Sequence, residues 1–184
     1  MLDCDAIIKR YYRQGTPLYR TLTVHSRQVA GLASGLARRL ASRGVAVDTD
    51  FVGEASLLHD IGIFLTDADG IHCHGTEPYI CHGLLGAELL RDLGLPRHAG
   101  VCERHTGAGL SLADIVGQQL PLPVRDMVPL TVEERLICYA DKFFSKTHLG
   151  EPPRTLARVR QSLAKFGDTT LARFEALVDE FGEP

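Results

Sequence analysis

The chain has 184 residues, 45% of them hydrophobic, with 20 basic and 23 acidic side chains and a formal net charge of −3. That length suits one domain with a sizeable core, and the lack of any basic run longer than two residues argues against a general nucleic-acid-binding surface, leaving room only for a small basic patch. The polar opening MLDCDAIIKRYY is no signal peptide, no apolar stretch approaches the roughly 20 residues that cross a bilayer, and the five scattered cysteines include no CxxC pair; a cytoplasmic protein with reduced, packing thiols is expected.

The periodic segments have helical period and none alternates convincingly with period two, so an all-α fold is expected. A first helix is predicted over residues 3–14, ending before Gly15-Thr16-Pro17. A second starts at Leu18 or Leu22 and runs to Arg43, closed by Gly44. A third covers residues 49–61 and is ended by Gly62. A glycine- and histidine-containing loop, residues 66–76, leads to a fourth helix over 77–93, stopped by Gly94 and Pro96, and a fifth over 97–105. Residues 107–130 carry Gly109, Gly117, Pro121, Pro123 and Pro129 and are expected to hold at most a helical turn. So long an excursion in a compact domain suggests a lid or a pocket wall. The sequence TVEE at 131–134 is a capping-box start for a helix to about residue 146, and helices over 153–166 and 168–181 finish the chain. No repeat or linker interrupts it. One domain is expected, its core at about 18–146 and its C-terminal helices at 153–181.

Several of these helices carry polar residues where apolar ones belong. The second has the stripe Leu18, Leu22, His25, Val29, Leu32, Leu36 and Leu40, with His25 in its middle. The third puts Val52, Ala55, Ser56, His59 and Ile63 on one face, with Asp60 beside His59. His82 adjoins Gly83 and Gly86 on the fourth, His105 ends the fifth, and Asp141 lies between Ile137 and Phe144 on the helix that begins at Thr131. Burying an unpartnered carboxylate costs several kcal/mol. Four histidines and two aspartates on five helices are more than a core of this size tolerates as separate burials. A divalent metal resolves the conflict, because its charge keeps the carboxylates ionised and its orbitals take the imidazole lone pairs.

The pattern His25 … His59-Asp60 … Asp141, with the doublet embedded in LLHDIG, resembles the HD superfamily of metal-dependent phosphohydrolases. The stretches ERHTGAGL and VPLTVEERLICYADK resemble a group of small HDIG-domain proteins, and the resemblance covers about residues 18–146. It implies a helical bundle of the HD type in which His25, His59, Asp60 and Asp141 hold a first metal. Asp60, the catalytic carboxylate, would bridge to a second metal completed by His82 and His105. The implied reaction is attack of a metal-bound hydroxide on a nucleotide or another small phosphoester. Ile63 and Phe64 follow HDIG where the HD-GYP phosphodiesterases have a lysine, and no GYP follows His105, so cyclic dinucleotide hydrolysis is not expected. Two metals are expected. The donors suit iron, manganese, cobalt, nickel or zinc, and the resemblance favours iron or manganese.

Phosphate needs donors besides metal, and Arg20, Arg104 and Lys142, which lie near or beside candidate ligands in sequence, are the candidates for substrate binding. His72 and His74, in GIHCHG, are expected to be exposed histidines near a pocket mouth, with a ligand role as the alternative. His98 and His148 have no motif around them and are expected at the surface. The partner is a small phosphorylated molecule, not a membrane, and no oligomeric state can be inferred. The same six ligands would also serve a mixed-valence diiron oxygenase, or a metal-bound sensor without catalysis.

Overall fold

The computed structural model describes residues 2–184. Side-chain caps define most of its helix starts. Asp3, Thr16 and Asp48 accept hydrogen bonds from the backbone N–H of Ala6, Tyr19 and Phe51, and so open α1 (Cys4–Tyr11), α2 (Pro17–Ser42) and α3 (Thr49–Leu58). Pro17 at the first position of α2 has its ring angle already set for a helix. At 26 residues α2 is about 39 Å long and contributes to both of the larger apolar cores. The next helices are α4 (His82–Asp92) and α5 (Pro96–Arg104). A reciprocal Ser111–Asp114 capping box opens α6 (Leu112–Gly117), Thr131 caps α7 (Val132–Asp141), Thr155 caps α8 (Leu156–Leu163), and α9 (Asp168–Phe181) follows.

The all-α expectation holds, with one small addition. Residues 66–78 form a miniature sheet of β1 (Thr66–Ala68), β2 (Cys73–His74) and β3 (Glu77–Pro78) in the order β2-β1-β3. β1 and β2 are antiparallel, with Asp67 opposite His74, and β1 and β3 are parallel, with Thr66 opposite Glu77. Strands of two or three residues cannot display an alternation, which is why the sequence shows none. Strand β3 and a short 3-10 turn at Tyr79–Cys81 occupy the predicted start of the fourth helix, so α4 begins at His82. The helix from Thr131 stops at Asp141 rather than at residue 146. The excursion at 107–130 contains α6, a longer helix than the single turn expected.

Two apolar cores share α2. Val29, Ala33, Leu36 and Leu40 pack with α3, α7, α8 and α9, around Tyr139, Phe143, Phe174 and Phe181. Leu22 packs instead with α1, the end of α3, α4 and α5. His25 stands between Leu22 and Val29, so the polar centre lies where the two cores meet. A third cluster, Ile115, Leu122 and Met127 on Cys81, fastens the 107–130 segment to the start of α4. Burial of each large apolar side chain contributes about 1.5–3 kcal/mol, and these clusters set the positions of the helix ends that carry the site.

Gly62 does not end α3 by a left-handed turn; its φ is −84°. It is glycine for space. A Cβ there would overlap the His82 carbonyl and the Gly86 amide and lie 2.8 Å from the Gly86 Cα. A Cβ on Gly86 would in turn meet the Cys102 sulfur and lie 2.9 Å from the Gly62 nitrogen. The backbone after the His59-Asp60 doublet therefore rests directly on α4.

Candidate metal centre

Helix ends supply most of the cluster. His59 follows the last residue of α3, His82 is the first residue of α4, His105 follows α5, and Asp141 ends α7; only His25 is in mid-helix. Their positions give three of the histidines the same backbone anchor. His59 Nδ1 donates to Ser56 O, His82 Nδ1 to Tyr79 O and His105 Nδ1 to Cys102 O, each at 2.7 Å and each to the residue three places earlier. A carbonyl only accepts, so the proton must be on Nδ1 and, in the neutral ring, the lone pair on Nε2.

Those Nε2 atoms converge on two groups that share Asp60. In the first, His25 Nε2 lies 2.9 Å from Asp141 Oδ1 and 3.2 Å from Asp60 Oδ2, and His59 Nε2 lies 3.0 Å from Asp60 Oδ2 and 3.4 Å from Asp141 Oδ1. In the second, His82 Nε2 and His105 Nε2 are 3.1 Å apart and lie 3.4 and 3.3 Å from Asp60 Oδ1. Within each group one donor atom per residue lies within 4.8 Å of every other, and all six residues are buried. His25 Nε2 and Asp141 Oδ1 are within hydrogen-bond geometry, but proximity does not bond the rest of the first group. His59 Nε2 and both Asp60 oxygens, fully buried, have no partner of acceptable geometry. Atoms that crowd one another without bonding fit a common central cation.

Charge tells the same story. Burial pushes the His82 imidazole down to about 3, helped by His105 and Lys146, and burial also lowers His105. Both rings are then neutral, and two lone pairs face each other across 3.1 Å. Burial opposes ionisation of Asp60, yet His59 and Lys146 hold its carboxyl well below the usual range. Lys142 and Lys146 do the same for Asp141 against its burial. Burial would lower His59, but Asp60 and Asp141 outweigh it and push His59 up to about 9. The first group thus recruits a positive charge, and the second cannot supply one from its own rings.

The structure places Lys142, alone of the three expected basic residues, beside the cluster: its Nζ is 2.7 Å from Asp141 Oδ2 and 3.1 Å from His105 O. Arg104 pairs with Glu134 at 2.7 Å. Arg20 is exposed and lines a separate hollow with His72 and Leu149. Lys146 was missed. Its ammonium is 2.7 Å from Asp60 Oδ2, nearly buried, and it arrives from a turn after α7 that helical spacing cannot extrapolate. His72 and His74 are exposed, as expected; His72 has a left-handed φ of 64° and His74 lies 3.1 Å from Asp69. His148 is exposed too. His98 corrects the expectation of a surface position: it is buried edge-on against Phe51, 3.6 Å from Glu54, because α5 turns that face inward.

Asp141, Lys142 and Lys146 also line a cavity of about 460 Å³ whose outer walls include Phe144, Leu163 and Phe166. Gly107, Leu110, Gln118 and Leu120 form one side, so the 107–130 segment is a pocket wall. Ala68, Gly70 and Ile71 border a neighbouring hollow that shares Tyr79, Phe144, Lys146 and Arg154 with it. None of the described helices is long and apolar enough to cross a membrane.

The family model of the HD domain matches residues 23–145. An uncharacterized protein of Methanocaldococcus jannaschii is 34% identical over 157 residues, 85% of each chain. Two proteins named tRNA (cytidine(56)-2′-O)-methyltransferase contain a similar stretch. That of Picrophilus torridus is 36% identical over 102 residues, 55% of this chain and 26% of the relative. That of Thermoplasma volcanium is 33% identical over 144 residues, 78% of this chain and 37% of the relative. The crystal structure of the L. monocytogenes phosphodiesterase PgpH HD domain superposes with a TM-score of 0.52 over 91% of this chain and 97% of that one, at 16% identity, which shows a shared fold. The chain belongs to the HD-domain family.

Proposed function

We propose that this HD-domain chain is a metal-dependent phosphohydrolase acting on a nucleotide or another small phosphoester. One observation carries the reading: two neutral imidazoles, their Nδ1 protons committed to carbonyls, point Nε2 lone pairs at each other beside a buried carboxylate with no hydrogen bond. His25, His59, Asp60 and Asp141 would hold one divalent cation. Asp60, His82 and His105 would hold the other, with Asp60 as the bridge and the catalytic carboxylate. Iron or manganese suits this nitrogen–oxygen set; zinc, cobalt and nickel are compatible with it. Bound cations would supply Lewis acidity and a water acidic enough to act as hydroxide at neutral pH.

The chain's own contribution is position and charge. Lys142 and Lys146 put two ammonium groups on the pocket side of Asp141, where a phosphoryl group carries its negative charge. The 460 Å³ cavity falls in the size range of small-molecule sites, and its apolar walls suit an organic ester group. The names of the two tRNA-modifying relatives support a nucleotide, although this chain spans about a quarter and a third of their lengths and their methyltransfer chemistry is not carried over.

Metal analysis of protein purified without oxygen should give two divalent ions per chain. Phosphate or nucleotide release from a panel of phosphomonoesters, nucleotides and dinucleoside polyphosphates should depend on them, with one oxygen from labelled water in the phosphoryl product. Oxygen consumption without any release of phosphate would assign the site to the oxygenase chemistry instead.

A further inference from the structure

The pocket does not stop at its apolar wall. Arg154 and Ser162 line both it and a smaller hollow of about 360 Å³, which Arg158, Gln161 and Lys165 complete. Arg158, Gln161 and Ser162 share a face of α8 by their spacing, with Arg154 just before the helix and Lys165 just after it. Three of these five residues are cationic and none is acidic, in a chain with a net charge of −3.

Neighbouring arginines are matched. Arg160, also on α8, holds Glu175 through two bonds of 2.8 Å, and Arg173 holds Asp114 at 2.6 Å. Arg154, Arg158 and Lys165 make no salt bridge among the described residues and line one hollow, Arg154 half-buried and Arg158 and Lys165 exposed. Such a group favours an anion, and Gln161 and Ser162 add neutral donors beside it.

The pocket beside the metal cluster has cationic Lys142 and Lys146 and apolar Leu120, Phe144 and Phe166 in its lining, Arg154 and Ser162 join it to the adjoining hollow, and Arg158 and Lys165 make that hollow cationic again. The geometry points to a second anion subsite on α8: the substrate is a nucleotide with a phosphoryl group on each side of its nucleoside, as a free bisphosphate or as the end of an oligonucleotide. One phosphoryl group lies at the cluster, the nucleoside fills the apolar middle, and the other phosphoryl group meets α8. The inference rests on the phosphohydrolase reading for the identity of the first anion.

The test uses the whole protein as purified and three probes: adenosine 5′-monophosphate, adenosine 3′,5′-bisphosphate and 5′-phosphorylated ApA. Dissociation constants come from displacement of a fluorescent nucleotide, and phosphate and nucleotide release are followed in the same samples. At least one doubly anionic probe should bind about tenfold more tightly than the monophosphate, a preference that Arg158→Gln with Lys165→Gln removes and added salt shrinks. Tighter binding of the bisphosphate identifies a free nucleotide, and tighter binding of the dinucleotide identifies an oligonucleotide end. Equal constants for all three probes overturn the subsite, as does a preference that survives the double substitution. A preference with no phosphate or nucleotide release from any probe keeps the subsite and counts against the hydrolase reading.

Discussion

Asp114 and Asp60 are both buried carboxylates, and the chain treats them in opposite ways. Asp114, in the first turn of α6, takes the Ser111 amide and hydroxyl at 2.8 Å each and the Arg173 guanidinium at 2.6 Å. Burial works against its charge, yet Ser111 and Arg173 hold its carboxyl below the usual range. Asp60 is more deeply buried and surrounded by four histidines and a lysine, but neither of its oxygens makes a hydrogen bond of acceptable geometry. A carboxylate whose partners are all in place fastens α6 to α9. One whose neighbours crowd its oxygens without hydrogen-bonding them could hold an ion from outside.

That contrast can be broken most sharply at Asp60. Asp60→Asn should abolish metal retention at both groups and lower turnover on the order of 10³-fold or more, and the metal-free protein should lose stability as well, because His59 and Lys146 lose the carboxylate that balances their charge. Metal analysis beside a thermal scan checks it, and wild-type metal content in Asp60→Asn would show that Asp60 is no ligand. His105→Ala is the next step down. It should take metal content from two ions toward one, with His25, His59 and Asp141 still loaded, and reduce turnover by about 100-fold.

Asp114→Ala should behave in the reverse sense: unchanged metal content, but a loss of about 2–3 kcal/mol in chemical denaturation, since it leaves Arg173 without its carboxylate. The smallest effect is in pH. A carboxyl lowered in the folded state contributes stability above its unfolded value, near 3.9, and loses it as pH falls through the folded value. The stability gap between wild type and Asp114→Asn should therefore be constant above about pH 5 and narrow below about pH 4. A gap that widens in acid would contradict the assignment.

The fold class was readable from helical spacing, and His25, His59, His82 and Asp141 because polar groups there interrupt apolar stripes; Asp60 and His105 were singled out by their place beside a stripe residue or at a helix end and by the resemblance to the HD superfamily. His98 was misplaced because the same test needs apolar neighbours on both sides of the residue, and α5 is too polar along its length to reveal its inner face. Lys146 was out of reach for another reason. It follows the end of α7, and beyond a helix end no period says where a side chain goes. Arg104 seemed well placed beside His105, but helix neighbours diverge by about 100°, and it found Glu134 instead.

The contact between Gly62 and Gly86 acts as a gauge. Asp60 lies two residues before one glycine and His82 four residues before the other, so the thickness of two bare backbones sets how far apart the two donor groups stand. Changing either glycine to alanine needs one base substitution and adds one methyl where there is no room for it. Such a change alters none of the six donors, yet it wedges α4, and His82 with it, away from Asp60. A descendant of this chain could then keep every donor in its sequence and still bind a single ion, so an inventory of ligands in a lineage predicts metal number only while both glycines remain.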